Sequence, residues 1–193
     1  MTSRTRRRLA RAAAGTAMIA VSLGEVRKPG IAPWEERVFR RANDAPDSWR
    51  IPVRVVMQAG TLGTVPGAAA VAALAGRRSL AVRLLVGGLL AWYGAKALKP
   101  IGGRERPEQV LGSCRIREGI AGDLGWVSGH ACVATTLALV AADDLPGWAR
   151  PGLAAVVASV GFGRMYVGAH LPHDLIGGLG LGMVISTLLP SGG

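Results

Sequence analysis

Long apolar stretches separated by charged segments dominate this chain. A helix that crosses a bilayer needs about 20 mostly apolar residues, and six apolar stretches of 13 to 23 residues are candidates. They cover residues 9–24, 53–75, 80–98, 130–142, 148–168 and 171–189. The pattern predicts an all-α fold, in which about six transmembrane helices form a single membrane domain over residues 1–193.

The first stretch, residues 9–24, is a marginal span that follows a cluster of arginines. A basic head before a short apolar core is also typical of a signal peptide. No clear small-residue cleavage site follows, and the chain continues directly into charged residues. We therefore expect an uncleaved first helix, and the other five spans would keep their orientation in either case.

Two polar segments are too charged to cross a membrane. Residues 33–50 can form a short interfacial helix, with Trp34, Val38 and Phe39 on its apolar side and Trp49 as a second anchor. An ordinary solvated loop helix is the alternative. Residues 99–126 are longer than a simple connection needs, and we predict that they form an active-site loop.

Composition and charge support a membrane protein. Half of the residues are hydrophobic, mean hydropathy is +0.33, and the net charge is +11. The arginines lie between the apolar stretches, which favours membrane flanking over nucleic-acid binding. The positive-inside rule places the N-terminus in the cytoplasm, so the loops before the fourth and sixth spans share the extracytoplasmic face. The two cysteines lack the spacing of a metal site.

Three short polar motifs lie at span ends on that predicted face: KPIGGRERP at 99–107, VSGHA at 127–131 and GRMYVGAHLPHD at 163–174. Ionisable residues at membrane depth are expensive and are functional candidates. Lys99, Arg106 and Arg164 supply three positive charges, and arginine forks match phosphate oxygens. The motifs therefore predict an anion site.

Other residues of these motifs extend the site. Ser128 is a good N-cap for a helix that begins near Gly129, and the free amides of such a helix start attract anions. Pro172 suits the first turn of the sixth span. Asp174 follows four residues after His170, within reach of its imidazole. Histidine beside a phosphate clamp indicates phosphoryl transfer.

The order Lys, six residues, Arg-Pro; then Ser-Gly-His; then Arg, five residues, His, three residues, Asp resembles the type 2 phosphatidic acid phosphatase superfamily. That superfamily contains membrane lipid phosphate phosphatases and, more distantly, soluble vanadium haloperoxidases. The motifs cover residues 99–174, and the six-span layout extends the likeness over nearly the whole chain. Two positions depart from the family pattern: Val127 stands where proline is frequent, and Gly163 where serine is frequent.

The resemblance implies a role for each site residue. Lys99, Arg106 and Arg164 would bind the phosphate oxygens, helped by Ser128 and the Gly129 amide. His170 would attack phosphorus and form a phosphohistidine, Asp174 would orient His170, and His130 would protonate the leaving oxygen. The family needs no metal or other cofactor. We list these expected site residues together: Lys99, Arg106, Ser128, Gly129, His130, Arg164, His170 and Asp174.

The expected function is hydrolysis of a lipid phosphate or diphosphate by a multi-pass protein of the cell membrane. Polyprenyl phosphates, polyprenyl diphosphates and prenyl-linked sugar phosphates are favoured, and phosphatidylglycerol phosphate and phosphatidic acid stay open. A membrane protein that only binds anionic lipid or a partner is the alternative from another class. His173 is expected at the interface near the headgroup, and Arg104 is expected to be solvated or to assist headgroup binding. The sequence indicates no oligomeric state.

Overall fold

The computed structural model describes residues 2–119, 122 and 124–190, so three residues of the predicted active-site loop (120, 121 and 123) lie outside it. The described chain is helical, as predicted. Its α-helices are α1 (Ser3–Val26), α2 (Pro33–Asn43), α3 (Arg50–Met57), α4 (Thr64–Leu74), α5 (Arg78–Gly102), α6 (Pro107–Leu111), α7 (Gly129–Ala142), α8 (Arg150–Tyr166) and α9 (Pro172–Leu188). Short 3-10 turns at Asp47–Trp49, Gln58–Gly60 and Gly147–Ala149 precede or follow some of them.

Fewer helices than predicted are long and apolar enough to count as membrane spans. Within the described residues, α1 and α5 are each long and apolar enough to cross a bilayer, and α7 is a shorter apolar helix. A third span results if Asp47–Gly60 and Thr64–Leu74 are counted together, although they are bent by 70°. The number of six spans therefore stays a prediction.

The predicted span over residues 53–75 is interrupted, because the chain breaks at Gln58–Gly60 before α4 begins. Glycine occupies position 60, at this break, because the backbone there packs closely against the start of α7. A Cβ added to Gly60 would lie 2.6 Å from the carbonyl oxygen of His130. Only glycine allows the backbone to approach the His130 region this closely.

Helix α9 lies at the centre of the bundle, between α1 and α7. Its small residues permit this: a Cβ on Gly178 would lie 2.5 Å from the Ser128 carbonyl oxygen, and one on Gly182 would lie 2.7 Å from that of Cys132. The spacing of Gly178 and Gly182, four residues apart, thus lets α9 lie against α7, as expected for helix packing in lipid. On the other side, the backbones of Gly15 and Gly180 meet equally closely.

The helix directions give the bundle two different ends. Helices α5 and α8 finish at the end where α7 and α9 begin, and this end carries all three polar motifs. The opposite end carries the start of α1, where Arg11 pairs with Asp143 at 2.9 Å. Arg83 of α5 pairs there with Asp144. The antiparallel path thus collects residues that are far apart in sequence.

Helix α2 packs on the protein through a face that differs from the predicted one. Its buried residues are Glu35, Phe39, Ala42 and Asn43, which share one helix face. Phe39 is fully buried in the protein instead of facing the membrane interface, whereas Trp34 is 41% exposed. Helix α2 is therefore part of the folded domain at the end that carries the polar motifs.

Candidate active site

Lys99 lies within a helix, not in the predicted loop. Helix α5 continues past Leu98 to Gly102, so Lys99 occupies its last turn. Gly103 then adopts a left-handed conformation with φ of +61°, which glycine tolerates and which ends the helix. Arg106 follows just before α6, so that both cations stand at the same end of α5.

Ser128 caps α7, as predicted. Its Oγ accepts a hydrogen bond from the Ala131 amide at 3.4 Å, and its own amide donates to the carbonyl oxygen of Asp174 at 2.9 Å. This second bond ties the start of α7 to the start of α9. Gly129 and His130 form the first residues of α7, and both are partly exposed at this junction.

The connection between α8 and α9 carries His170. Pro172 is the first residue of α9, as predicted, and Asp174 lies in the first helical turn. The Oδ2 atom of Asp174 accepts from the Leu171 amide at 2.9 Å, and it lies 3.4 Å from Nδ1 of His170. That separation is long for a hydrogen bond, as is common for catalytic pairs before substrate arrives.

The three predicted phosphate-binding cations converge on the residues that surround His170. Nζ of Lys99 donates to the carbonyl oxygens of Leu124 and Gly125, at 2.6 Å and 3.2 Å. Nε of Arg106 donates to the Gly122 carbonyl at 2.7 Å, and its Nη1 donates to that of Ala169 at 2.7 Å.

Arg164 is held by a carboxylate. Its Nη1 donates to Oε2 of Glu118 at 3.1 Å. Its Nε is buried and makes no hydrogen bond to the described residues, and the same holds for Nδ1 of His170. A buried donor without a partner is costly, so an anion with several acceptor oxygens would satisfy this arginine.

The electrostatic setting keeps His170 neutral. Burial lowers the pKa of the His170 imidazole well below its ordinary value, and the charges of Arg164, Lys99 and Arg106 lower that pKa further. A neutral imidazole has a free electron pair and can attack an electrophile, which a protonated ring cannot. His130 lies within electrostatic range of the same cations and of His170. The structure thus brings the predicted residues together.

A buried ion-pair network beside Asp174 was missed by the sequence analysis. Nη1 and Nη2 of Arg104 donate to Oε1 and Oε2 of Glu35 at 2.8 Å and 2.7 Å. Nη1 of Arg104 also lies 3.5 Å from Oδ1 of Asp174. The expectation of a solvated or headgroup-binding Arg104 is therefore wrong: burial leaves it 8% exposed, and its charge is used inside the protein.

His173 belongs to the same network, not to the membrane interface. Its amide donates to Oε1 of Glu35 at 2.8 Å, and its Nδ1 lies 3.1 Å from that oxygen. The Trp34 ring covers the imidazole edge-on, with centroids 5.0 Å apart. Burial alone would raise the pKa of Glu35, but the hydrogen bonds from Arg104 and the His173 amide hold it below its ordinary value.

The structure explains one departure from the family pattern. Helix α3 packs Met57 against Gly163, and a Cβ on Gly163 would lie 2.8 Å from Cγ of Met57. The Sδ atom of Met57 also lies 3.8 Å from Nη1 of Arg164. Serine would not fit at Gly163 unless Met57 shifted. The other departure, Val127, is fully buried at the start of the α7 cap.

Comparison with solved structures finds two proteins with a similar fold. The crystal structure of Aquifex aeolicus LpxE aligns with a TM-score of 0.73 and 19% sequence identity, over 83% of this chain and 96% of that one. A transmembrane PAP2-type phosphatidylglycerolphosphate phosphatase from Bacillus subtilis aligns with a TM-score of 0.50 and 19% identity, over 97% of this chain and 85% of that one.

Sequence comparison identifies the family. A search of curated protein sequences found no match. The sequence model of the PAP2 superfamily, in contrast, matches residues 80–192, which include all three polar motifs and the helices α5 to α9 that carry them. The chain therefore belongs to the PAP2 superfamily, as its motif spacing indicated.

Proposed function

We propose that this protein is a membrane phosphatase that removes a phosphate group from a lipid through a phosphohistidine intermediate, without a metal ion. The observation that carries the proposal is the convergence of Lys99, Arg106 and Arg164 on the surroundings of a buried, neutral His170. Three cations can neutralise a phosphate and the charge that develops during its transfer. Membership of the PAP2 superfamily and the fold shared with LpxE support the same reaction.

The geometry favours Nε2 of His170 as the attacking atom, because Nδ1 faces the Asp174 carboxylate. Nε2 would form a bond to phosphorus while the bond from phosphorus to the lipid oxygen breaks. His130 would be protonated once the negative charge of the bound phosphate offsets the nearby cations, and it would give that proton to the leaving oxygen. Water would then attack the phosphohistidine, with His130 taking its proton, and inorganic phosphate would leave. Asp174 would stabilise the positive charge that His170 carries in the intermediate.

Glu118 occupies a position that a phosphate would take. Its carboxylate pairs with Arg164 at 3.1 Å, while its side chain remains 29% exposed. A phosphate oxygen would meet the same guanidinium, and Glu118 would turn towards solvent. Ser128 and the Gly129 amide would complete the cradle from the start of α7, where helix amides attract anions.

A second cationic surface favours substrates that carry two phosphate groups. A cavity of about 410 Å³ beside Glu118 is lined by Arg50 and Arg54, together with residues of the loop that include Arg117, which is already paired with Asp47. A monoester needs only the three clamping cations, so further arginines next to them suit a second anionic group. Polyprenyl diphosphates and prenyl-linked sugar phosphates are the first candidates. The second candidate is phosphatidylglycerol phosphate, which also carries two phosphate groups, whereas phosphatidic acid carries one.

The membrane orientation forms part of the proposal. The cluster of arginines at the start of α1 favours a cytoplasmic location for that end of the bundle, which would place the active site on the extracytoplasmic face of the cell membrane. At the site end, several cations are neutralised by carboxylates, including Arg104 by Glu35 and Arg117 by Asp47. This pairing reduces the positive charge that would otherwise favour a cytoplasmic location for the site end.

The test is phosphate release by the purified protein from polyprenyl phosphates, polyprenyl diphosphates and glycerolipid phosphates, in the presence of a metal chelator. We expect turnover that His170→Ala abolishes, and a labelled phosphohistidine that can be trapped with labelled substrate. Arg54→Gln should raise KM for substrates with two phosphates and leave KM for phosphatidic acid unchanged. Binding without turnover on every substrate would instead support a silent anionic-lipid-binding protein.

A further inference from the structure

The network of Glu35, Arg104 and His173 lies outside the residues that would touch phosphate, and Glu35 lies outside residues 80–192, which match the family. Glu35 is 1% exposed. A buried carboxylate is expensive unless it is paired and hydrogen-bonded. Glu35 is fully satisfied by the fork of Arg104 and by His173, so the fold holds it in one position.

Glu35 reaches Asp174 by two routes. The first passes through Arg104, whose Nη1 lies between Oε1 of Glu35 at 2.8 Å and Oδ1 of Asp174 at 3.5 Å. The second passes through the backbone, because the His173 amide donates to Glu35. The first residue outside α9 is Leu171, whose side chain cannot accept a hydrogen bond, so Glu35 supplies from α2 the cap that α9 lacks.

These contacts decide how Asp174 meets His170. Oδ1 of Asp174 faces Arg104, and Oδ2 is left for the Leu171 amide and for Nδ1 of His170. Without the Glu35 charge, Arg104 would have Asp174 as its nearest remaining carboxylate and would pair with both of its oxygens. Oδ2 would then turn away from His170.

We propose that Glu35 is a positioning residue of the active site: acting through Arg104 and the first turn of α9, it holds the Asp174 carboxylate in the orientation that serves His170. This inference rests on the proposed phosphatase function. It adds to the site a residue of the N-terminal segment that no family motif contains. Helix α2 thereby becomes part of the catalytic apparatus and not only a cover for it.

The test compares Glu35→Gln with Glu36→Gln. Glu36 is the adjacent carboxylate on α2, and it pairs with Arg40 at 2.7 Å on the partly exposed side. Glu35→Gln should lower kcat by up to about 100-fold, because small displacements of catalytic groups have effects of that size. KM should stay nearly constant, since the phosphate-binding cations are untouched. Glu36→Gln should match the wild type in both constants.

A double-mutant cycle separates positioning from general loss of structure. If Glu35 acts through Arg104, the double variant Glu35→Gln/Arg104→Gln should be no less active than the less active of the two single variants. Independent effects on kcat would instead multiply. Arg104→Lys, which keeps the charge but loses the fork, should lower kcat as well. Thermal unfolding of each variant shows which fraction is folded, and kcat is compared per folded molecule.

The outcomes distinguish this inference from the proposed function. No turnover by the wild-type protein on any lipid phosphate would reject the proposed function itself. Wild-type turnover with equal kcat for Glu35→Gln and Glu36→Gln would reject only the positioning role. A rise in KM without a change in kcat would also reject it, because Glu35 would then act on substrate binding.

A different observation, at the opposite end of the bundle, carries a second inference. A cavity of about 960 Å³ extends between α1, α7, α8 and α9, with mostly apolar walls. Its far end is lined by Arg4, Arg7, Arg8, Arg11 and Arg150, whereas the acidic residue among its lining is Asp143, which Arg11 engages. Basic pockets between transmembrane helices bind anionic headgroups.

We infer that this crevice, lined by α1, α7, α8 and α9, holds an anionic phospholipid, with its acyl chains along the apolar walls and its headgroup among the arginines. Native mass spectrometry of the detergent-purified protein tests this with phosphatidylglycerol and phosphatidylcholine as probes. We expect one phosphatidylglycerol to be retained in preference to phosphatidylcholine. The preference should fall by roughly 30-fold in Arg7→Gln/Arg150→Gln, at about 1 kcal/mol per arginine.

Two further variants show whether the crevice itself matters. Ala158→Trp fills its wall and leaves every arginine in place, so it should abolish retention. Arg77→Gln/Arg78→Gln removes two charges at the same end but outside the lining, and should change nothing. Equal loss in that control, or full retention by Ala158→Trp, would show general attraction to basic residues and overturn the inference.

Discussion

Two groups of buried cations lie within the same site, and they are held in different ways. Arg104 meets a carboxylate with both arms of its fork, at 2.8 Å and 2.7 Å from Glu35. Lys99 and Arg106 instead meet backbone carbonyl oxygens. Arg164 meets a carboxylate through only one nitrogen, and that carboxylate is partly exposed.

The difference matches the roles that we propose, a structural one for the first group and substrate binding for the second. A paired carboxylate neutralises an arginine, whereas carbonyl oxygens solvate a cation and leave its net charge in place. Arg104 therefore has no charge left for a ligand, and it orders α2, α9 and Asp174. Lys99 retains a charge that the phosphate of a substrate would neutralise, and Arg164 could exchange the partly exposed Glu118 for a phosphate oxygen. Functional sites of this kind are held at a cost in stability, which the rest of the fold must offset.

The largest effect on kcat is expected for Asp174, which lies beside the charge-balanced pair of Arg104 and Glu35. Asp174→Asn should lower kcat by about 10³-fold or more, because the carboxamide cannot stabilise a charged His170 or fix its tautomer. Vanadate, which mimics phosphate, should still bind, because the clamping cations are intact. Turnover and vanadate inhibition measured on one preparation check both. Full turnover in this variant would disprove the orienting role.

Removal of Arg104 should lower stability in addition to its effect on kcat. Arg104→Ala leaves Glu35 as an unpaired buried charge, and losses of about 3 kcal/mol are typical when one partner of a buried pair is removed. Reversible unfolding in mixed micelles measures the free energy of unfolding. The matched control is Arg37→Ala, which removes an exposed arginine of α2, the helix that carries Glu35. This change should leave the free energy of unfolding nearly unaltered. Similar losses in both variants would contradict the structural role.

Substitution of Arg164 should affect activity much more than stability. Arg164→Ala is expected to lower kcat/KM by about 10²- to 10³-fold, the range for a donor that stabilises a developing oxyanion. Its charge meets the bound substrate and the transition state alike, so KM should rise as kcat falls. The free energy of unfolding should change by less than about 1 kcal/mol, because its partner Glu118 is partly exposed. Arg115→Ala, in the neighbouring loop, serves as the kinetic control.

The smallest effect concerns Glu118. If this carboxylate competes with phosphate for Arg164, Glu118→Gln should strengthen inhibition by vanadate about threefold, in keeping with the modest energy of a partly exposed ion pair. The kcat value should stay the same. Glu108→Gln, another carboxylate of the same loop, should leave inhibition unchanged. Weaker inhibition in Glu118→Gln would show that Glu118 assists anion binding instead of opposing it.

Local pattern correctly predicted how the helices at the candidate site begin. Ser128 was recognised as a cap because N-capping depends on a side chain and an amide three residues apart. Pro172 and Asp174 were placed in the first turn of α9 for similar reasons. The position of the break before α4 could not be predicted, because its cause is the approach of Gly60 to His130, which no local pattern reveals.

The sequence by itself determined the helical character of the chain, the order of its polar motifs and, through their spacing, the family. These depend on contacts between residues a few positions apart, or on a pattern that can be compared directly. Only the tertiary structure decided that Glu35 joins Arg104, a residue 69 positions away. A glutamate on an amphipathic helix has the same sequence pattern whether it faces water or a buried guanidinium, because the partner's position follows from how the helices pack.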